Sequence, residues 1–226
     1  MAAIHFDPET HVYTTDYGSE VPSVTQRIRR AGLLGPAAQF YSPESADRGT
    51  AVHLACADRD QGRDVSAFLK GEFGGYLTSY IRWCEAMEPG WPSIETPQYS
   101  PRYQTAGTAD RVGTINGRPV VLDLKSGGKA HHHGVQVAFY DLIHDELPPR
   151  QRRRIVLYLR RNGRMAQSVE FSSPYDYTQA LALIANQQET PDATDHHDTP
   201  SDPDGHDGSS AATGPRKASK GPPGTG

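Results

Sequence analysis

Only two of the 226 residues are cysteines, Cys56 and Cys84. Two thiols fit a reducing compartment, and they exclude a cluster held by cysteine alone, which takes four thiolates. No apolar run approaches the roughly 20 residues of a membrane helix, and the N-terminus lacks the pattern of a secretory signal. A cytoplasmic protein without membrane contact is therefore expected. Net charge is also missing where a fold can form. Residues 1–188 hold twenty acids and twenty bases, and the acidic excess comes from seven acids against three bases from Glu189 onward. A polyanion would have to be met by local basic patches, not by a general field. From residue 189 there is no large apolar side chain, and proline, glycine, serine and aspartate dominate. Such a segment cannot bury enough surface to offset its ordering entropy. Residues 1–188 are expected to be the folded domain and 189–226 a disordered acidic tail.

What the chain does contain is densest in Gly107–Lys125. Two strand-like runs, residues 111–115 and 119–125, flank Asn116-Gly117. Asn-Gly between such runs signals a type I′ hairpin, because both central residues need positive φ. Strands alternate faces, so Asp123 and Lys125 share one face while Leu124 points to the other. Asp110 stands at the outer end of the first run. An acid and an amine on one face of a core strand are explained by a metal site with an ammonium beside it. A solvated pair at a strand end explains them as well, so the other segments decide.

Those segments read in order as follows. Residues 4–14 form a small hairpin around Asp7-Pro8-Glu9, and 24–31 a helix whose arginines 27, 29 and 30 make a solvated face, with a phosphate contact as the alternative. Ser42-Pro43-Glu44-Ser45 opens a helix over 46–59 whose middle, GTAVHLACA, is small and apolar nearly all round, as in a buried helix. His53 sits at its centre. A single histidine there is a satisfied core residue unless the hairpin carboxylates converge on it. Helices follow at 65–71 and 74–88, then a strand at 94–99 in which Glu95 faces either the cleft of Asp110 or water. Residues 127–134 form a loop containing His131–His133. Three successive residues cannot all aim at one ion from a helix start, so this triplet is left outside the site. A helix over 135–146 places Gln136 and Tyr140 one turn apart. A second Asn-Gly hairpin at Asn162-Gly163 joins strands 155–160 and 165–171, with arginines 150, 152, 153, 154, 160, 161 and 164 around it as a phosphate-binding patch. A helix over 174–187 closes the domain.

Four segments in this order, R-G-T-A-V-H (48–53), G-T-A-D (107–110), D-L-K (123–125) and Q-V-A-F-Y (136–140), resemble the motifs of the PD-(D/E)XK nuclease superfamily. The likeness is to its RecB-like and phage-type exonuclease branch, and it spans residues 20–172. It implies an α/β, restriction-endonuclease-like core: a mixed central sheet flanked by helices. It implies a Mg²⁺- or Mn²⁺-dependent deoxyribonuclease, most simply an exonuclease of phage-type recombination or DNA processing, partnered by DNA and by a recombination or annealing protein. An endonuclease of the restriction, junction-resolving or CRISPR-adaptation kind, or an inactive DNA-binding module of the same fold, are the alternatives. By residue, it implies His53, Asp110, Asp123 and the Leu124 carbonyl as metal ligands and Asp110, Asp123 and Lys125 as the catalytic group. Gln136, Tyr140, Arg48, Arg152, Arg153 and Arg160 would contact DNA, with Glu95 as an additional acid. Asp123 stands where many relatives carry glutamate. The cysteines of the iron–sulfur members are missing, which places the likeness with the cluster-free branch.

Overall fold

The computed structural model describes residues 4–35, 42–144 and 151–186. The expected tail, Arg150 and the far end of the helix expected to reach Glu146 lie outside the described residues. The described residues belong to one compact unit. Its architecture is α/β: a mixed five-stranded sheet with helices on both faces, beside a small antiparallel sheet.

The small sheet contains β1 (Ile4–Asp7), β2 (Val12–Thr15) and β3 (Glu20–Val21), one strand more than the expected hairpin. Helix α1 (Val24–Arg30) starts with a capping box. Ser23 accepts from the Gln26 N–H, and the Gln26 side chain accepts from the Ser23 N–H. The three arginines of α1 do not form one solvated face. Arg27 is buried and donates to the Gln104 carbonyl at 2.8 Å, so it ties α1 to the loop before β5. Helix α2 (Pro43–Asp60) is capped by Ser42, with Pro43 in its first turn, where a missing N–H costs nothing. Helices α3 (Ser66–Lys70) and α4 (Gly74–Met87) follow.

In the main sheet the order is sequential: β4 (Gly90–Ser100), β5 (Thr105–Ile115), β6 (Arg118–Lys125), β7 (Arg153–Tyr158) and β8 (Gln167–Glu170). Asn116 and Gly117 have φ of +51° and +72°, as a type I′ turn requires, and they join β5 to β6. β6 and β7 are parallel, joined by a crossover containing α5 (His132–Ile143). α6 (Pro174–Ala185) closes the unit. The alternation of β6 builds two cores. Val121 packs with α1, α5 and α6, while Val120, Leu122 and Leu124 pack with α2 and α4 on the other face.

Two boundaries differ from the sequence expectation. α5 begins at His132 instead of Val135, because His132 and His133 are buried and His133 Nδ1 meets the Tyr158 hydroxyl at 2.8 Å. Tertiary burial overrides the loop-like composition there. The Asn162-Gly163 connection is not a tight hairpin. Gly163 has φ +71°, but the strands stop at Tyr158 and resume at Gln167. Ala166 N–H is taken by the Ser79 carbonyl and Arg160 N–H by the Ser79 hydroxyl, so α4 holds the loop open.

Candidate active site

The site forms where β5 and β6 separate. Their ladder ends at the pair Arg111–Leu122. Two residues on, the Leu124 peptide would face the main chain of β5 but is satisfied by side chains instead. Its N–H donates to Asp110 Oδ2, and its carbonyl lies 3.0 Å from His53 Nε2. His53 Nδ1 is 3.2 Å from Asp110 Oδ1 and 3.9 Å from Glu95 Oε1. One imidazole thus spans two strands, and α2 is the element that delivers it. Lys125 Nζ sits 2.7 Å from the buried Asp123 Oδ2, an ion pair on one face of β6.

Glu95 faces this cleft. In the β4–β5 register Ile94 opposes Arg111 and Thr96 opposes Ala109, while Glu95 between them has φ +46°. A left-handed glutamate inside a strand is strained, and such strain is kept where surrounding contacts impose it. The contact here is the fully buried Arg111. Its Nη1 donates to Glu95 Oε1 at 3.2 Å and to the Asp110 carbonyl at 2.6 Å, and its Nε donates to Asp60 Oδ2 at 2.7 Å. The Tyr80 hydroxyl donates to the same Asp60 oxygen at 2.6 Å. Asp60, Tyr80 and Arg111 are absent from the sequence-derived site. One signal for them is Arg111 itself, a charge at the start of the strand-like run 111–115, which needs a partner if that strand is buried.

The charges form one coupled set. Burial opposes charging of His53, but the charge and hydrogen bond of Asp110, with Glu95 behind it, push its pKa up to about 9. The imidazole is therefore an imidazolium at neutral pH, donating from both nitrogens. Asp110 shows the complementary shift. Burial pulls its pKa up, yet His53, Lys125 and the Leu124 N–H hold it below the ordinary range. Burial raises Asp123 to about 6, with Lys125 acting against the rise and Asp110 adding to it. Burial and the neighbouring Asp110 also raise Glu95, against His53 and Arg111.

Gln136 Nε2 donates to the Tyr140 hydroxyl at 3.0 Å on α5, and Tyr140 is buried within electrostatic reach of Asp110 and Asp123. Arg48 is half-buried on α2 and its Nε has no hydrogen-bond partner. The arginine patch divides in two. Arg152 is buried against Asp141 and the His144 carbonyl, Arg153 pairs with Glu170, and Arg154 pairs with Asp176 under the Tyr177 ring. These three lie at the Val120 end of the β6–β7 register, away from Lys125. Arg160, Arg161 and Arg164 are exposed in the loop after β7, at the Lys125 end, where the Leu159 N–H donates to the Lys125 carbonyl. Arg160 is the sequence-predicted arginine that remains open to a ligand on the site's side. Among the described residues, the group of possible metal ligands is His53, Glu95 and Asp110, without His131–His133.

No protein-family model matches the sequence, and no curated protein matches it. Sixteen chains of solved structures do match. One, the crystal structure of SSO0001, aligns over 75% of this chain and 74% of its own, at 19% identity and a TM-score of 0.36. A superposition that loose carries no functional argument. The geometry above carries it instead.

Proposed function

We propose that the protein is a divalent-metal-dependent DNA nuclease of the PD-(D/E)XK superfamily, acting as an exonuclease on a restriction-endonuclease-like core. One observation carries the reading: His53, from a helix, lies within hydrogen-bond distance of both Asp110 and the Leu124 carbonyl, while Lys125 flanks Asp123 on the adjoining strand.

The donor set fits a hard divalent ion. One ligand atom from each of His53, Glu95 and Asp110 lies within 4.8 Å of the other two. The buried Asp123 carboxylate stands beside this group on β6, paired with Lys125 at 2.7 Å. Carboxylates and a carbonyl suit Mg²⁺, and the imidazole adds affinity for Mn²⁺. Asp110, Glu95 and His53, with Asp123 and the Leu124 carbonyl beside them, would hold such an ion, which would supply Lewis acidity to a phosphodiester and activate water at neutral pH. The residues do the remainder. His53 must release a proton to become a ligand, since both its nitrogens donate in the charged form. Lys125, held by Asp123, orients the attacking water or neutralises charge developing on the phosphate oxygens. Arg160 and Arg164 meet backbone phosphates without reading bases.

The test is a cleavage assay on end-labelled linear, nicked and circular DNA with Mg²⁺, Mn²⁺ or EDTA. We expect metal-dependent loss of linear DNA with circles spared, and a fall of at least roughly 100-fold in Asp123→Ala and Lys125→Ala. Intact linear DNA under every metal condition would sink the enzyme reading. Cut circles would make the protein an endonuclease.

A further inference from the structure

Beside the carboxylates lies a cavity of about 430 Å³, walled by the small N-terminal sheet, α1 and the start of β5. It is in the lower part of the range of small-ligand pockets, roughly 300–1,000 Å³, and too narrow for a duplex. Its floor is shared with the site. Thr108, two residues before Asp110 and so on the same face of β5, bonds the Tyr13 hydroxyl at 2.8 Å, and Tyr140 closes the inner end. Gly107, on the other face of β5, lets α1 and α5 pack close beside the cavity, because a Cβ there would meet Val24, Ile143 and Tyr140 at 2.9 to 3.2 Å.

The chemistry of the lining differs from that of its neighbour. Among the described residues that line it none is acidic, although Glu95, Asp110 and Asp123 stand next door. A row of rings, His11, Phe6 and Tyr13, runs along one wall, with centroids 5.9 and 4.6 Å apart. The opposite wall is α1, which presents Thr25, Gln26 and the exposed Arg29. Gln26 uses its carbonyl oxygen in the capping box, and its amide nitrogen donates to no described protein group. Flat aromatic faces, amide and hydroxyl hydrogen-bonding groups and one guanidinium, without an acid, complement a planar heterocycle carrying a negative charge.

We infer that this cavity holds one unpaired terminal nucleotide of the strand being cut, its base on the Phe6–His11 rings, so that the enzyme works from a strand end. The inference rests on the nuclease reading for the identity of the polymer. Its test needs no cleavage. Fluorescence anisotropy in EDTA compares labelled duplexes with a frayed end whose last nucleotide is natural or abasic, made for the 5′ and the 3′ terminus in turn. The full chain is expected to bind the natural end roughly tenfold tighter at one terminus. Phe6→Leu and His11→Asn are expected to abolish that ratio while leaving the melting temperature in place. Leucine keeps apolar contact with Tyr13, and asparagine tolerates the φ of +55° at His11. Equal binding of natural and abasic ends at both termini by the unaltered protein overturns the inference and leaves the cleavage reading standing. A terminal preference in a protein that cuts nothing does the reverse.

Discussion

Glu95 holds a backbone conformation that costs an L-residue about 1–3 kcal/mol, and its carboxyl is raised by burial as well. Glu95→Gly removes both penalties. It is expected to stabilise the fold by about 1 kcal/mol while weakening Mn²⁺ binding, read by paired denaturant melts and Mn²⁺ titration. A variant that loses stability along with Mn²⁺ would make Glu95 a structural residue only. Arg111 behaves in the opposite way. Arg111→Leu strips one guanidinium from Asp60, whose side chain is 2% exposed, and leaves that buried carboxylate to Arg59 and the Tyr80 hydroxyl. A loss of about 3 kcal/mol or more is expected, measured by urea unfolding. A near-neutral Arg111→Leu would mean that Arg59 and Tyr80 suffice for Asp60.

At the scale of elements, the site depends on where a ladder stops. β5 and β6 pair only as far as Arg111–Leu122, and that ending frees the Leu124 peptide for Asp110 and His53. On the other side of β5, the register with β4 shifts between Gly90 and Ser93, beside Gly113. A Cβ at Gly113 would run into the Gly90 carbonyl, a backbone group that cannot step aside. At Gly107 the obstacles are side-chain tips. Gly113→Ala is therefore expected to destabilise more than Gly107→Ala, whose overpacking should cost about 1–3 kcal/mol. Equal melting temperatures for the two variants would show that β4 yields.

For the whole molecule, buried imidazoles set the response to acid. Burial, with Lys125 and His132 nearby, lowers His133 to about 3, and burial with Arg152 lowers His144 to about 4. Both are neutral in the fold and protonate near 6.5 once unfolded. The unfolded chain therefore gains protons first, and this stability is complete above about pH 6.5 and lost as pH falls toward 4 and 3. Each histidine contributes at most about 1.4 kcal/mol per pH unit. His53 has the opposite sign. Its raised pKa stabilises fully below about 6.5 and the contribution fades as pH rises through about 9. Melts in EDTA from pH 4 to 9 should peak between about 6 and 7. His144→Leu, which also removes a buried Nε2 without a hydrogen bond, should flatten the acid side. An unchanged acid slope in that variant would show that the carboxylates govern it.

Local pattern was enough for the α/β class, the Asn116-Gly117 turn, the Ser42-Pro43 helix start and the facing of Asp123 and Lys125, because each follows from period or turn chemistry over a few residues. Convergence was not so determined. That Glu95 turns toward His53, and that the Asp60–Tyr80–Arg111 group stands behind it, depends on contacts between residues far apart in the chain, to which periodicity is blind. The arginines show the same limit. A basic run reads alike whether its guanidiniums face solvent or acids, and only packing paired Arg152, Arg153 and Arg154 internally while leaving Arg160 and Arg164 exposed. The sequence by itself determined the α/β class, most elements and the common face of Asp123 and Lys125; the tertiary structure alone decided which charges meet, because that depends on where strands part and which helix crosses the gap.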